Sequence, residues 1–171
     1  MCTSAWYSRT ARPCGRADAG VAYEWSITKE ALAGSSEEEW LHGTFSCGTA
    51  RVVAKGFDWR PLLIWPRGKE AAGVYLCCDV PPVLLKPDAR SLLGVVCPGP
   101  AQLVVWAPKD GGTQEAVFNG TYGSSFVPIS RGVGETHALP LAAASAAGSN
   151  PVDRWARYLR DGKISGILTW Q

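Results

Sequence analysis

Histidine is nearly missing from this chain. His42 and His137 are the only two in 171 residues, so any chemistry that needs an imidazole base must draw on one of them. No run of about 18 apolar residues occurs, so no helix is expected to enter a membrane. The opening MCTSAWYSRTARPCGRADAG carries arginines but no apolar centre, and does not read as a secretory signal. There is no Cys-x₂-Cys pair, Cys77 and Cys78 are adjacent, and neither histidine has a cysteine at finger spacing. No metal and no cofactor are therefore expected. Excess charge is also lacking: the net value of +2 does not by itself imply a nucleic-acid partner. No internal repeat is found.

What is present is apolar and turn-rich. Apolar residues make up 46% of the chain, enough to bury a core. The six cysteines, without a secretory signal, read as reduced thiols of a cytosolic compartment. Cys47, Cys77 and Cys97 lie in apolar stretches and are expected to act as small buried hydrophobes. From Gly43 onward, short β-branched and aromatic segments alternate with Gly, Pro, Asp and Lys. TFSCGTARVVAKGF, PLLIWP, GVYLCC, PVLLK, SLLGVVC, AQLVVWAP and EAVFNG are spaced as strands of an all-β protein. KDGG at 109–112 reads as the turn of a hairpin.

Residues 1–42 read as an irregular N-terminal arm, with short helices at TKEALAG and SSEEEWL. In the second, Ser35 and Glu38 have capping-box spacing. At the other end, Asn150 as cap, Pro151 at the first turn and Gly162 as stop predict a helix over 150–162. Val152, Trp155, Ala156 and Leu159 form its apolar face. The arm carries Trp6, Tyr7, Trp25 and Trp40. These rings are read either as an interaction surface or as a strap whose rings join the core. Arg9, Arg12 and Arg16 in the arm, with Arg154, Arg157 and Arg160 on the helix, raise RNA contact as a second reading; a solvated helix face explains the last three equally well.

TYGSSFVPISRGVG holds a Gly123-Ser124-Ser125 turn of the sort that carries a serine nucleophile. Acyl transfer also needs a base and oxyanion donors. Phe126 and Val127 follow Ser125 where a tight turn favours glycine. His137 comes after the serine, and His42 precedes the strand region.

GTFSCGTARVVAKGFDWRPLLIW resembles the opening of the chymotrypsin-like 2A proteases of enteroviruses. Arg51-Val52-Val53, Asp58-Trp59 and Trp65 carry the likeness. GVYLCC at 73–78 resembles the strand that opens their second barrel, and TYGSSFVPISRGVG stands where their nucleophile loop and following hairpin would be. The resemblance covers about 43–171. It implies a chymotrypsin-like double β-barrel with an N-terminal arm and a C-terminal helix: a reduced first barrel over 43–68, a second over 73–149, and the helix at 150–162. The family's histidine would follow Arg51-Val52-Val53, but the chain reads Ala54-Lys55-Gly56-Phe57, so the base near Gly56 is lost. PRGKEA carries no Asp for the acid. Ser125 stands for the cysteine nucleophile. The zinc cysteines before GVY are replaced by Lys69-Glu70-Ala71-Ala72, and the later Cys and His by SRGVG. The implied protein is a catalytically inactive protease homologue.

A chain running from Met1 to Gln171 also has the ends expected of the first product of a picornavirus polyprotein, cut after Gln171. It is thus similar to the leader proteins of kobuviruses. That resemblance implies a non-enzymatic protein of the host cytoplasm that binds viral or host proteins in support of RNA replication and encapsidation, with no small-molecule substrate. Two alternatives stand beside it. One is an active protease using Ser125 or a cysteine with His42 or His137; the other is an RNA-binding module.

Overall fold

Alternation of apolar and polar residues recurs along the chain, and among the described residues the computed structural model turns most such stretches into antiparallel strand. It describes residues 22–34, 38–54, 57–66, 70–79, 94–96, 100–122, 126–128, 132–143 and 150–170. The strands are β1 (Ala22–Thr28), β2 (Glu38–His42), β3 (Thr44–Phe45), β4 (Val52–Ala54), β5 (Phe57–Pro66), β6 (Ala71–Asp79), β7 (Gly94–Val96), β8 (Ala101–Pro108), β9 (Gln114–Tyr122), β10 (Phe126–Pro128), β11 (Val133–Pro140) and β12 (Lys163–Trp170).

Two sheets result. The first has the order β3-β1-β12-β8-β9; the second has β11-β6-β5-β2, with β4 also paired to β5. Strands β7 and β10 form a separate two-stranded ribbon. The fold is all-β, as the sequence predicts.

Period-two patterning sets each inner face. Tyr23, Trp25 and Ile27 of β1 face inward, as do Ile164, Leu168 and Trp170 of β12. From the second sheet come Trp59, Leu63 and Trp65 of β5 with Val74, Leu76 and Cys78 of β6. All of these belong to one hydrophobic cluster. Trp59 and Trp170 meet edge-to-face across it, ring centroids 6.0 Å apart. The Trp59 indole N–H donates to the Ala54 carbonyl at 2.9 Å, so its burial leaves no polar debt.

Several expectations are corrected. The segment 22–42 is not an irregular arm. Ala22–Thr28 pairs along its whole length with β12, because alternate apolar side chains give it a face to bury. TKEALAG does form a helix, α1 (Lys29–Ala33), capped by the Thr28 hydroxyl, which accepts from the Ala31 N–H. SSEEEWL does not: Glu38–His42 is strand β2, held by pairing with β5 over Leu62–Pro66. Pairing overrides local propensity there. The division into barrels at 43–68 and 73–149 does not follow the sheets, since β5 and β6 pair from Asp58–Asp79 to Ile64–Gly73.

The C-terminal helix is 3₁₀ and shorter than expected, Pro151–Tyr158. Asn150 caps it through its side-chain oxygen, which accepts from the Val152 N–H at 3.0 Å. Three residues per turn stack Val152, Trp155 and Tyr158 on one side. Trp155 and Tyr158 are buried, whereas Ala156, on the α-helical reading of that face, is exposed. Gly162 serves in a turn: Asp161 and Gly162 both have positive φ, 51° and 73°. Arg160 and Lys163 exchange backbone hydrogen bonds across that turn, and the chain reverses into β12.

Candidate binding groove

The protease-like motifs have clear structural work. Arg51 ends 3.7 Å from the Asp58 carboxylate across the β4–β5 pair, and Val52 lies opposite Trp59. Arg51-Val52-Val53 and Asp58-Trp59 therefore brace one hairpin. Lys55, Gly56, Gly123, Ser124 and Ser125 lie outside the described residues, as do Trp6 and Gln171. The two histidines are far apart. His42 ends β2 and His137 lies in β11, and these strands form opposite edges of the second sheet with β5 and β6 between them. Three strand spacings amount to about 14 Å. His137 is exposed, and its Nδ1 lies 3.2 Å from the Thr136 hydroxyl. Among the described residues, no cluster of three His, Cys, Asp or Glu could hold a metal ion.

The proposed interaction residues divide. Trp25 is 2% exposed and belongs to the core, so it is not a surface anchor. Trp40 lies on β2 opposite Ile64. Arg154 is buried: its guanidinium stacks 5.3 Å from the Trp65 ring centre and its Nε donates to the Ala142 carbonyl at 3.0 Å. It is a structural arginine, because stacking and hydrogen bonding replace its lost water. Arg157 is exposed and lies over the Tyr158 ring at 5.2 Å. Arg160 is exposed beside Asp161, Nε to carboxylate 3.8 Å. The row at 154, 157 and 160 therefore does not present three open charges. Cys77 is buried as expected, and so is its neighbour Cys78; Cys47, expected to be buried, is instead exposed in a turn, Sγ 3.3 Å from the Thr49 hydroxyl, and Cys97 lies outside the described residues.

Burial shapes the tyrosines as well. Desolvation pushes the Tyr122 phenol well above its ordinary range, and the nearby charges of Glu135 and Tyr75 add to the effect. Burial raises Tyr75 and Tyr158 in the same direction. None of the three is poised to act as a base near neutral pH.

Among the described residues, an open groove of about 440 Å³ lies on the outward face of the first sheet. Glu24 and Ser26 of β1, Lys163, Ser165 and Ile167 of β12, and Trp106 of β8 line it. Register orders these residues in rows. Ser26 lies opposite Ser165, which lies opposite Trp106; Glu24 lies opposite Ile167; Lys163 lies opposite Thr28. Gln114 Nε2 donates to the Ser165 hydroxyl at 3.3 Å, closing one side. At the other side, the Ser46 N–H donates to the Glu24 carbonyl at 3.0 Å and fixes the rim.

Two local features make the groove. Gly166 lies opposite Trp25, and a Cβ there would stand 2.5 Å from Trp25 Cζ2 and against the Val104 carbonyl. Only glycine leaves room there for the buried Trp25 ring on the core side of β12, beneath the groove. On the other flank, β9 bulges at Val117, so Val105 pairs with Phe118 while Trp106 pairs with Ala116. Such a bulge re-aims the neighbouring side chains, and the small Ala116 leaves Trp106 half exposed. Sequence reading missed this groove. Its one available signal was the alternation in KISGILTW, which marks β12 as a strand with one polar face. Comparison with protein-family models, curated proteins and solved structures gives no match.

Proposed function

We propose that this chain is a non-enzymatic binding protein, of the kind implied by its resemblance to picornavirus leader proteins. It acts in the host cytoplasm by engaging viral or host factors that serve RNA replication and encapsidation. The surroundings of His137 and Asp58 carry the reading. A serine nucleophile needs a base within hydrogen-bond reach, and that base needs an orienting acid. His137 meets the Thr136 hydroxyl and, among the described residues, no carboxylate. The Asp of the protease-like motif, Asp58, faces Arg51 instead.

A chymotrypsin-like double barrel belongs to this proposal on the order of the matching motifs alone. The β4–β5–β6 run supports it. The pairing of β1 with β12 and the single shared core are departures that such a barrel pair must accommodate.

The test is hydrolysis. The purified chain is incubated with a peptide library, including a peptide ending in its own last ten residues, and products are read by mass spectrometry. Identical profiles for the wild type, Ser125→Ala and the double variant His42→Ala/His137→Ala are expected. Cleavage that Ser125→Ala or the double variant abolishes would establish the protease reading instead.

A further inference from the structure

The groove on the first sheet carries charge of both signs at a fixed interval. Among the described residues, neither the Glu24 carboxylate nor the Lys163 ammonium has an ion-pair partner. Both are exposed. Lys163 lies opposite Thr28, four residues along β1 from Glu24. At about 3.3 Å per residue, the two charges stand about 13 Å apart along the strand direction. Midway is the row Ser26–Ser165–Trp106 with its half-buried indole, and Ile167, in the row of Glu24, adds apolar surface beside it.

We propose that this groove docks an extended segment of a partner protein bearing a basic, an apolar and an acidic side chain at alternate positions. In an extended peptide, residues i, i+2 and i+4 point to one side and span the same 13 Å or so. The basic group meets Glu24, the apolar group packs on Trp106 and Ile167, and the acidic group meets Lys163. The Ser26 and Ser165 hydroxyls and the Gln114 amide both donate and accept, which suits peptide backbone groups between the anchors. RNA fits less well. Glu24 opposes phosphate, and one lysine gives little counterion release. This proposal rests on the binding reading above and names the ligand class of its groove.

The test uses capped heptapeptides with Lys, Phe and Asp at alternate positions, and the matching Lys/Phe/Lys and Asp/Phe/Asp peptides. Binding to the full chain is measured by calorimetric titration, with hydrolysis monitored in the same samples. The Lys/Phe/Asp peptide is expected to bind best, in roughly the 10 μM to 1 mM range of small interfaces. Trp106→Ala should weaken it about tenfold or more. Glu24→Lys should weaken it roughly three- to tenfold and make Asp/Phe/Asp the preferred peptide; Lys163→Glu should make Lys/Phe/Lys preferred. Misfolding cannot produce such an exchange of preference. The proposal is overturned if no peptide saturates by about 10 mM, if the charge reversals leave the preference unchanged, or if single-stranded RNA binds here instead with steep salt dependence. Peptide cleavage would overturn the non-enzymatic reading while leaving the docking preference measurable in Ser125→Ala.

Discussion

The two sheets share a core but treat their outer faces differently. On the second sheet, Leu62 and Cys77 alternate with core residues and point away from the shared cluster, yet both are fully buried, while Arg60, Ile64 and Tyr75 around them are half-buried. A Cβ on Gly132 would stand 2.8 Å from Cys77 Sγ, so backbone lies directly on that thiol. Strand β10 also approaches β6. On the first sheet, the corresponding outward positions Glu24, Ser26, Trp106, Lys163 and Ser165 remain half or fully exposed. The Arg51–Trp65 and GVYLCC motifs sit on the second sheet, in β4, β5 and β6, whereas TYGSSFVPISRGVG starts at the end of β9 in the first sheet and passes through β10 to β11. The open surface lies on the sheet that joins the two ends of the described chain. The groove thus lies on the other sheet from the Arg51–Trp65 and GVYLCC motifs.

The largest expected effect breaks the shared core. Trp59→Ala removes a fully buried indole that contacts the first sheet through Trp170, and should cost about 3–5 kcal/mol. If both sheets depend on one core, near- and far-UV circular dichroism will lose signal in a single transition at lower denaturant. Two separated transitions would mean two independent barrels. Next is Gly166→Ala, which forces a methyl group against the Trp25 ring and the Val104 carbonyl. A loss of about 1–3 kcal/mol is expected in denaturant titration.

The arginines sharpen the contrast between buried and open surface. Arg154→Ala gives up the Trp65 stack and the bond to Ala142, and should cost about 1–3 kcal/mol. Arg157→Ala, at an exposed site, should stay within about 0.5 kcal/mol. Equal effects would mean that the 3₁₀ helix presents both alike.

The smallest effect is in pH. Burial raises the Tyr122 pKa in the folded chain, so the unfolded chain releases its phenolic proton first as pH rises. Stability should hold below the ordinary tyrosine range near about 10 and fall above it. Tyr75 and Tyr158 shift the same way and contribute in the same window. Tyr122→Phe should make the alkaline fall shallower in thermal melts between pH 9 and 11.

Much of the strand content was legible because period-two alternation is a local signal. The β8–β9 hairpin is an example: the KDGG turn places Gly111 and Gly112 at positive φ, where only glycine is comfortable. Helix α1 was legible in the stretch TKEALAG. Pairing partners were not. Strand β1 carries Tyr23, Trp25 and Ile27 at alternate positions, but its partner β12 comes from the far end of the described chain, and no local pattern names it. The Asp161-Gly162 step is a strong hairpin signal that a helix-stop reading concealed. The groove was illegible for a further reason. It depends on a register that aligns Ser26, Ser165 and Trp106 from three strands, and on the β9 bulge beside them.

The contrast between the sheets is tested most directly by timed surface labelling of the intact chain. A thiol alkylator and an indole oxidant are applied under native conditions, and modification is read by peptide mass spectrometry. Rapid modification of Cys47 and Trp106 is expected, with Cys77, Cys78, Trp59 and Trp170 protected until the chain unfolds. Alkylation of Cys77 as fast as Cys47, or a Trp106 as protected as Trp59, would contradict the assignment of a covered Cys77 on one sheet and an open Trp106 on the other.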